Sequence, residues 1–223
     1  MPRRKVARTG KATKKQLGPK KPRLKPLSLL ILECDANKLR TQSLAVASEL
    51  NAVVRLLPAK LTVELAFINS AADLTDRFVD YAQRYSAIKL IVVIAHSNRD
   101  VISIAPNLVL QWDAFGRWVE KFKPKQMVFV ACEAGQFPST RTLFDLMPSL
   151  RVIFASPVKT TKEQAEIIKL LVPYLLLSKT QDGELIRIFQ IINFLRSGSI
   201  ILRCSRRRGE WTSLLQFLSG LID

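Results

Sequence analysis

Cysteine is scarce in this chain of 223 residues: there are three, Cys34, Cys132 and Cys204, and no two form a CxxC pair. That count and spacing exclude a disulfide framework and a zinc knuckle, so a reducing, cytoplasmic setting is expected and any special cysteine is a reactive one. Histidine is rarer still, with His96 alone. Long hydrophobic runs are also missing: nothing approaches the ~18 uninterrupted apolar residues of a membrane span, and residues 167–177 are broken by Lys169 and Pro173. A secretory signal would need an apolar region of about 7 to 15 residues ending in small ones, whereas residues 27–32 run into Glu33, Cys34 and Asp35. There is no glycine-rich phosphate loop, zinc-finger spacing or aromatic RNA-binding signature, and no metal or cofactor is expected.

Acidic residues are absent from residues 1–26, which hold eleven Lys or Arg among prolines and glycines. Such a segment cannot bury enough apolar surface to fold and reads as a disordered basic arm. Of the net charge of +17, only +6 remains on the rest of the chain, so most of the basicity is separable from the fold. The arm has the chemistry to hold nucleic acid or another polyanion without reading sequence; a solubilising tail is the alternative. Arg206, Arg207 and Arg208 make a second basic spot.

What is present from residue 27 onward is 48% hydrophobic content overall, arranged as short apolar runs alternating with amphipathic stretches. This predicts one α/β domain over residues 27–223, built from βαβ units around a mostly parallel sheet. Strands are predicted at 27–33, 53–57, 90–95, 127–131 and 152–155. Helices are predicted at 39–50, 71–85, 112–122, 140–146 and 162–177, with Leu74, Phe78 and Tyr81 on one face of the second. The short runs 101–104 and 108–110 around Pro106 and Asn107 predict a hairpin beside the main sheet. Residues 184–223 read as a mainly helical extension, with helices at 185–195 and 211–221 and one strand at 199–204. Trp112 and Trp118, six apart on a helix, do not share a face, so at least one belongs to the core.

Two strand ends carry the chemistry. In an open parallel sheet, reactive groups collect beyond the carboxyl ends of the strands. One run ends as Ile91-Val92-Val93-Ile94-Ala95-His96-Ser97-Asn98, and the next as Met127-Val128-Phe129-Val130-Ala131-Cys132-Glu133-Ala134-Gly135. The single histidine and a cysteine thus emerge at corresponding positions of successive strands, where an imidazole could activate a thiolate. Taken singly, His96 reads as an ordinary residue and Cys132 as a small core side chain. Glu133, Asp100 and Glu120 could favour a basic residue before a scissile bond, or simply be solvated carboxylates. Cys34 and Cys204 read as packing residues.

The succession of strand, His, hairpin, helix, strand and Ala-Cys-x-x-Gly resembles the caspase-like cysteine peptidases of clan CD. Val130-Ala131-Cys132-Glu133-Ala134-Gly135 looks most like the CHAT and the legumain or gingipain branches, because Gly135 stands three residues after Cys132, not two as in caspases proper. CHAT is the closest of these, since residues 150–158 and the helix starting near Lys162 are also similar to the strand and helix after its Cys motif. The resemblance covers residues 27–177. It implies a three-layer sandwich with a caspase-like sheet, and a cysteine endopeptidase acting on a protein or peptide substrate under the control of a regulatory partner. His96 would be the general base, Cys132 the nucleophile, and the backbone amides of Ser97 and Cys132 the oxyanion hole, with Ser97 standing where the superfamily usually has Gly. Asp35 would orient His96, as a side chain at that edge does in legumain-like enzymes; a capping or turn role is its alternative. The competing functional reading is a non-catalytic caspase-like module docked on a polyanion by its arm.

Overall fold

The computed structural model describes residues 24–34, 45–57, 60–156, 162–177, 201–205 and 211–212, with side chains for all of these except 162–165, 201–205 and 211–212. A seven-stranded sheet forms the middle layer. Its strands are β1 (Lys25–Cys34), β2 (Val63–Ile68), β3 (Tyr85–Ile94), β7 (Gln126–Val130), β8 (Val152–Ala155), β9 (Ile201–Ser205) and β10 (Trp211–Thr212). They lie in the order β2-β1-β3-β7-β8-β9-β10. Pairing is parallel from β2 through β8 and antiparallel for β9 and β10. The central strands form because their apolar runs suit burial on both faces: residues 90 to 94 of β3 and 127 to 130 of β7 are buried without a break.

Helices cover the two faces. Helix α1 (Val46–Arg55) and helix α5 (Lys162–Leu177) lie on one, joined by Lys169, which pairs with Glu49 of α1 and with Glu166 at 2.7 Å. Their apolar sides meet Leu29, Ile31, Leu90, Val92, Ile94, Val128 and Val130. Helices α2 (Ala71–Arg84), α3 (Trp112–Val119) and α4 (Phe137–Leu146) lie on the other face, against Leu30, Leu32, Ile91, Val93, Met127 and Phe129. The strand period of two sends alternate side chains into these two cores, which makes the molecule a three-layer α/β/α sandwich. Helix α2 starts where Ser70 caps it: the Ser70 hydroxyl accepts from Asp73 N at 3.0 Å, and the Asp73 carboxylate reaches back to Asn69 N at 3.0 Å. Helix α3 packs so close to α4 that a Cβ on Gly116 would come within 2.7 Å of Leu146 Cδ1.

A second sheet of three antiparallel strands, β4 (His96–Ser97), β5 (Val101–Ala105) and β6 (Leu108–Gln111), stands at the end of β3. It contains the expected hairpin and adds β4 to it. Trp112 is buried at the start of α3, edge-on to Phe129 of β7 at 5.5 Å and to Phe115 at 6.1 Å.

The pattern reading needs two corrections. Residues 53–57 are not a strand: helix α1 runs through Arg55, with Val46, Leu50 and Val54 buried at helical spacing while Val53 and Leu56 are exposed. The second strand is β2 instead. Trp211 and Thr212, expected at the start of a helix, form β10. The remainder of that helix, the one at 185–195 and the first part of the one at 39–50 fall outside the described residues. No helix of the described residues is long and apolar enough to cross a membrane.

Candidate active site

The order of the sheet reverses between β1 and β3: β2 follows β1 on one side, and β7 and β8 follow β3 on the other. The crevice beyond the carboxyl ends of such strands is where α/β sheets bind ligands. Ile94, the last residue of β3, is level with Val130, the last of β7, and the pairing continues one step further as Ala95 N donates to Val130 O at 3.2 Å. His96 and Cys132 come two residues after Ile94 and Val130 on neighbouring strands. Ile94 and Val130 face the α1/α5 core, while Ala95 and Ala131 face the other. His96 opens β4 and Cys132 opens the turn after β7, so the two residues leave neighbouring strands at the same end of the sheet. Both are half-buried, and Nε2 of His96 is shut off from solvent. Both cysteines with described side chains, Cys34 and Cys132, carry thiols, and Cys34 is packed in the core.

The loop after His96 is built by Asn98. Its Oδ1 accepts from Asp100 N at 2.8 Å and Val101 N at 2.9 Å, and its amide donates to Val101 O at 3.0 Å. Its carbonyl accepts from Trp112 Nε1 at 3.1 Å, which ties the hairpin to the aromatic group on β7. Because Asn98 and Val101 form a hydrogen-bonded antiparallel pair, the next pair, Ser97 and Ile102, is a non-hydrogen-bonded one. The amide of Ser97 consequently turns away from β5. The Ser97 hydroxyl donates to the carbonyl of Cys132, linking the two strand ends.

The loop after Cys132 turns sharply. Glu133 has φ 56°, in the left-handed region that favours glycine. Gln136 N donates to Glu133 O at 3.0 Å, and Gly135 N donates to Ser156 O at 2.8 Å beyond the end of β8. Ser139, buried in the first turn of α4, directs its hydroxyl to Ala134 O at 3.0 Å and Gln136 O at 2.9 Å. One Glu133 carboxylate oxygen, Oε2, accepts from Arg99 N at 3.2 Å.

Ser97 and Cys132, the expected oxyanion-hole residues, are thus joined to each other, with His96 next to Ser97. Asp35 lies outside the described residues. Of the three acidic residues considered for substrate choice, Glu133 holds the Arg99 amide and Asp100 pairs with Arg99 Nε at 3.2 Å. Glu120 sits in the 3₁₀ turn leading into the amino end of β7, at the opposite end of that strand from Cys132. Sequence reasoning passed over Asn98 and Arg99, which the loop needs. It also passed over Glu33, a carboxylate only 3% exposed near the end of β1 and level with Ile94, whose signal was a lone acid closing an apolar run. Among the described residues no group of three His, Cys, Asp or Glu side chains could hold a metal ion.

Neither a family model nor a curated protein sequence matches the chain. Solved structures do. The chain is similar to a secreted C11 cysteine protease from Bacteroides thetaiotaomicron, "iotapain", with a TM-score of 0.58 and 10% identity, over 82% of this chain and 67% of that one. It is likewise similar to a secreted C11 protease of that organism in complex with an irreversible peptide inhibitor, with a TM-score of 0.56 and 9% identity, over 82% and 66%. At such identities the likeness is one of fold: the mostly parallel sheet and its helices are those of the caspase-like C11 proteases.

Proposed function

We propose that this chain is a cysteine endopeptidase of caspase-like type in which His96 and Cys132 are the catalytic dyad. The observation that supports the reading is the shared register of β3 and β7, two residues beyond which the single histidine and a half-buried cysteine follow at the same end of the sheet. His96 takes the thiol proton, and the Cys132 sulfur attacks the carbonyl of the scissile peptide. The imidazolium then protonates the leaving amine, and water releases the acyl group from sulfur. The amides of Ser97 and Cys132 hold the oxyanion, each such donor being worth about 100- to 1,000-fold in rate. The turned-away amide of Ser97 supports this role, and its hydroxyl, occupied by the Cys132 carbonyl, holds the loop at the position where the resembled superfamily usually has glycine. Asp35 follows the end of β1 as the candidate for orienting His96. Among caspase-like branches, Ala131-Cys132-Glu133-Ala134-Gly135 favours the CHAT type. The substrate is a protein or peptide, control falls to a regulatory partner, and the setting is cytoplasmic.

Cys132→Ala and His96→Ala should each abolish cleavage of a model peptide and labelling by a thiol-reactive peptide probe. The double variant should be little worse than either single one, because a catalytic unit is strongly non-additive. Cys34→Ala and Cys204→Ala serve as controls that keep activity. Activity that survives loss of Cys132 would refute the mechanism.

A second reading, a caspase-like module docked on nucleic acid or another polyanion, is favoured by the eleven basic and no acidic residues of the arm. Deleting residues 1–25 should leave the fold intact and remove the salt-sensitive part of polyanion binding. Equal affinity with and without the arm across a salt titration would remove the docking role.

A further inference from the structure

Resting on the dyad reading, we infer that Glu133 is a positioning residue of this site, latching the hairpin that carries His96 to the loop that carries Cys132. The two loops leave different strands. Past the last strand pair, the Ser97 hydroxyl on the Cys132 carbonyl joins them, and so does Glu133 Oε2 on the amide of Arg99 at 3.2 Å. A carboxylate accepting from an amide makes a charge-assisted hydrogen bond, stronger than a neutral one. The amide it holds belongs to a stiff turn. Asn98 Oδ1 bonds the two amides that follow Arg99, and the Asn98 carbonyl is held by Trp112, so fixing Arg99 fixes the hairpin and His96 with it.

The backbone of Glu133 points the same way. Two described residues other than glycine have positive φ, Lys123 and Glu133. Lys123 closes the 3₁₀ turn, its amide on Glu120 O, where a left-handed residue is an ordinary helix ending. Glu133 ends no helix; it opens the turn that Gln136 N closes on Glu133 O. Glycine would adopt φ 56° without strain, but glycine has no carboxylate to reach Arg99. Strain of this kind persists where the surroundings hold the residue in place, and it gathers at functional sites. The guanidinium of Arg99 turns to Asp100, so the latch uses the backbone of Arg99 and not its charge.

The test is the rate at which the thiol-reactive peptide probe labels Cys132, measured beside the thermal midpoint on the full chain. Glu133→Gly removes the latch and the strain together; labelling should slow by about 10- to 100-fold, the loss expected of a reacting pair displaced by roughly an ångström, while the midpoint holds or rises. Glu133→Ala should slow labelling as much, with a lower midpoint. Glu133→Gln keeps an acceptor and should recover to within about threefold of the wild type, since a neutral bond replaces a charge-assisted one. Arg99→Ala keeps the amide and should follow the wild type. Glu133→Gly labelled at the wild-type rate, Glu133→Gln as slow as Glu133→Ala, or Arg99→Ala as slow as Glu133→Gly would each overturn the latch. His96→Ala separates the two levels: if it leaves the labelling rate unchanged, the dyad itself falls, and if it abolishes labelling while Glu133→Gly does nothing, only the latch does.

Discussion

Around Arg84, at the amino ends of β2 and β3, polar side chains bond one another, whereas around His96 and Cys132, at the carboxyl ends of β3 and β7, four side chains bond backbone. In the first region Arg84, at the end of α2, pairs with Glu64 of β2 and with Asp80 at 3.3 Å, and its guanidinium lies over the rings of Tyr81 and Tyr85 at 5.5 and 4.9 Å. Tyr85 donates its hydroxyl to the same Glu64 at 2.6 Å. In the second, the Ser97 hydroxyl, the Glu133 carboxylate, the Asn98 amide oxygen and the Trp112 indole all bond main-chain groups. The first arrangement uses its charged groups to pin a helix end to the sheet. The second uses the side chains beside His96 and Cys132 to set the path of the two loops that carry them.

The comparison breaks most easily at Tyr81. Its ring is 1% exposed, its hydroxyl has no hydrogen-bond partner among the described residues, and burial, followed by the charge of Glu64, pushes its pKa up to about 12. The neutral phenol is therefore the form that the fold favours. Its contribution is fully present below the ordinary pKa of about 10 and is lost as pH rises through 12, an amount of about 3 kcal/mol. Tyr81→Phe should remove that alkaline loss, leave stability at about pH 8 unchanged or slightly higher, and leave Cys132 labelling alone. Urea unfolding of both proteins from about pH 8 to 12 gives the answer: parallel curves would mean that Tyr81 does not ionise differently in the folded chain.

A smaller effect sharpens the contrast. Arg84→Ala removes two ion pairs and two ring contacts from a half-exposed side chain, which should cost about 1 kcal/mol of stability. The labelling rate of Cys132 should not move, because the cluster lies at the other end of the strands. A slower rate without a matching loss of stability would show that the two ends are coupled.

Much of this was legible in the chain. The runs at 27–33, 90–95, 127–131 and 152–155 are strands because mostly apolar stretches of that length suit a sheet covered on both faces. The hairpin around Pro106 and Asn107, and α2 with Leu74 and Tyr81 buried, followed from turn chemistry and period. The misreading at 53–57 came from taking Val53-Val54-Arg55-Leu56-Leu57 as a short apolar run; the spacing of Val46, Leu50 and Val54 was the stronger signal, since it faces that helix onto the sheet. Strand β2 was missed because it lies at the edge and carries Glu64, so its burial is partial and its pattern weak.

By itself, the sequence determined the strand interiors, the helix faces and the two chemically distinctive strand ends, since each depends on period and burial within a few consecutive residues. Tertiary structure alone decided that β3 and β7 are neighbours in register, that β9 and β10 extend the sheet antiparallel, and that Glu133 reaches Arg99. Those outcomes rest on the order in which strands assemble and on bonds between residues more than thirty positions apart, and no local pattern encodes either.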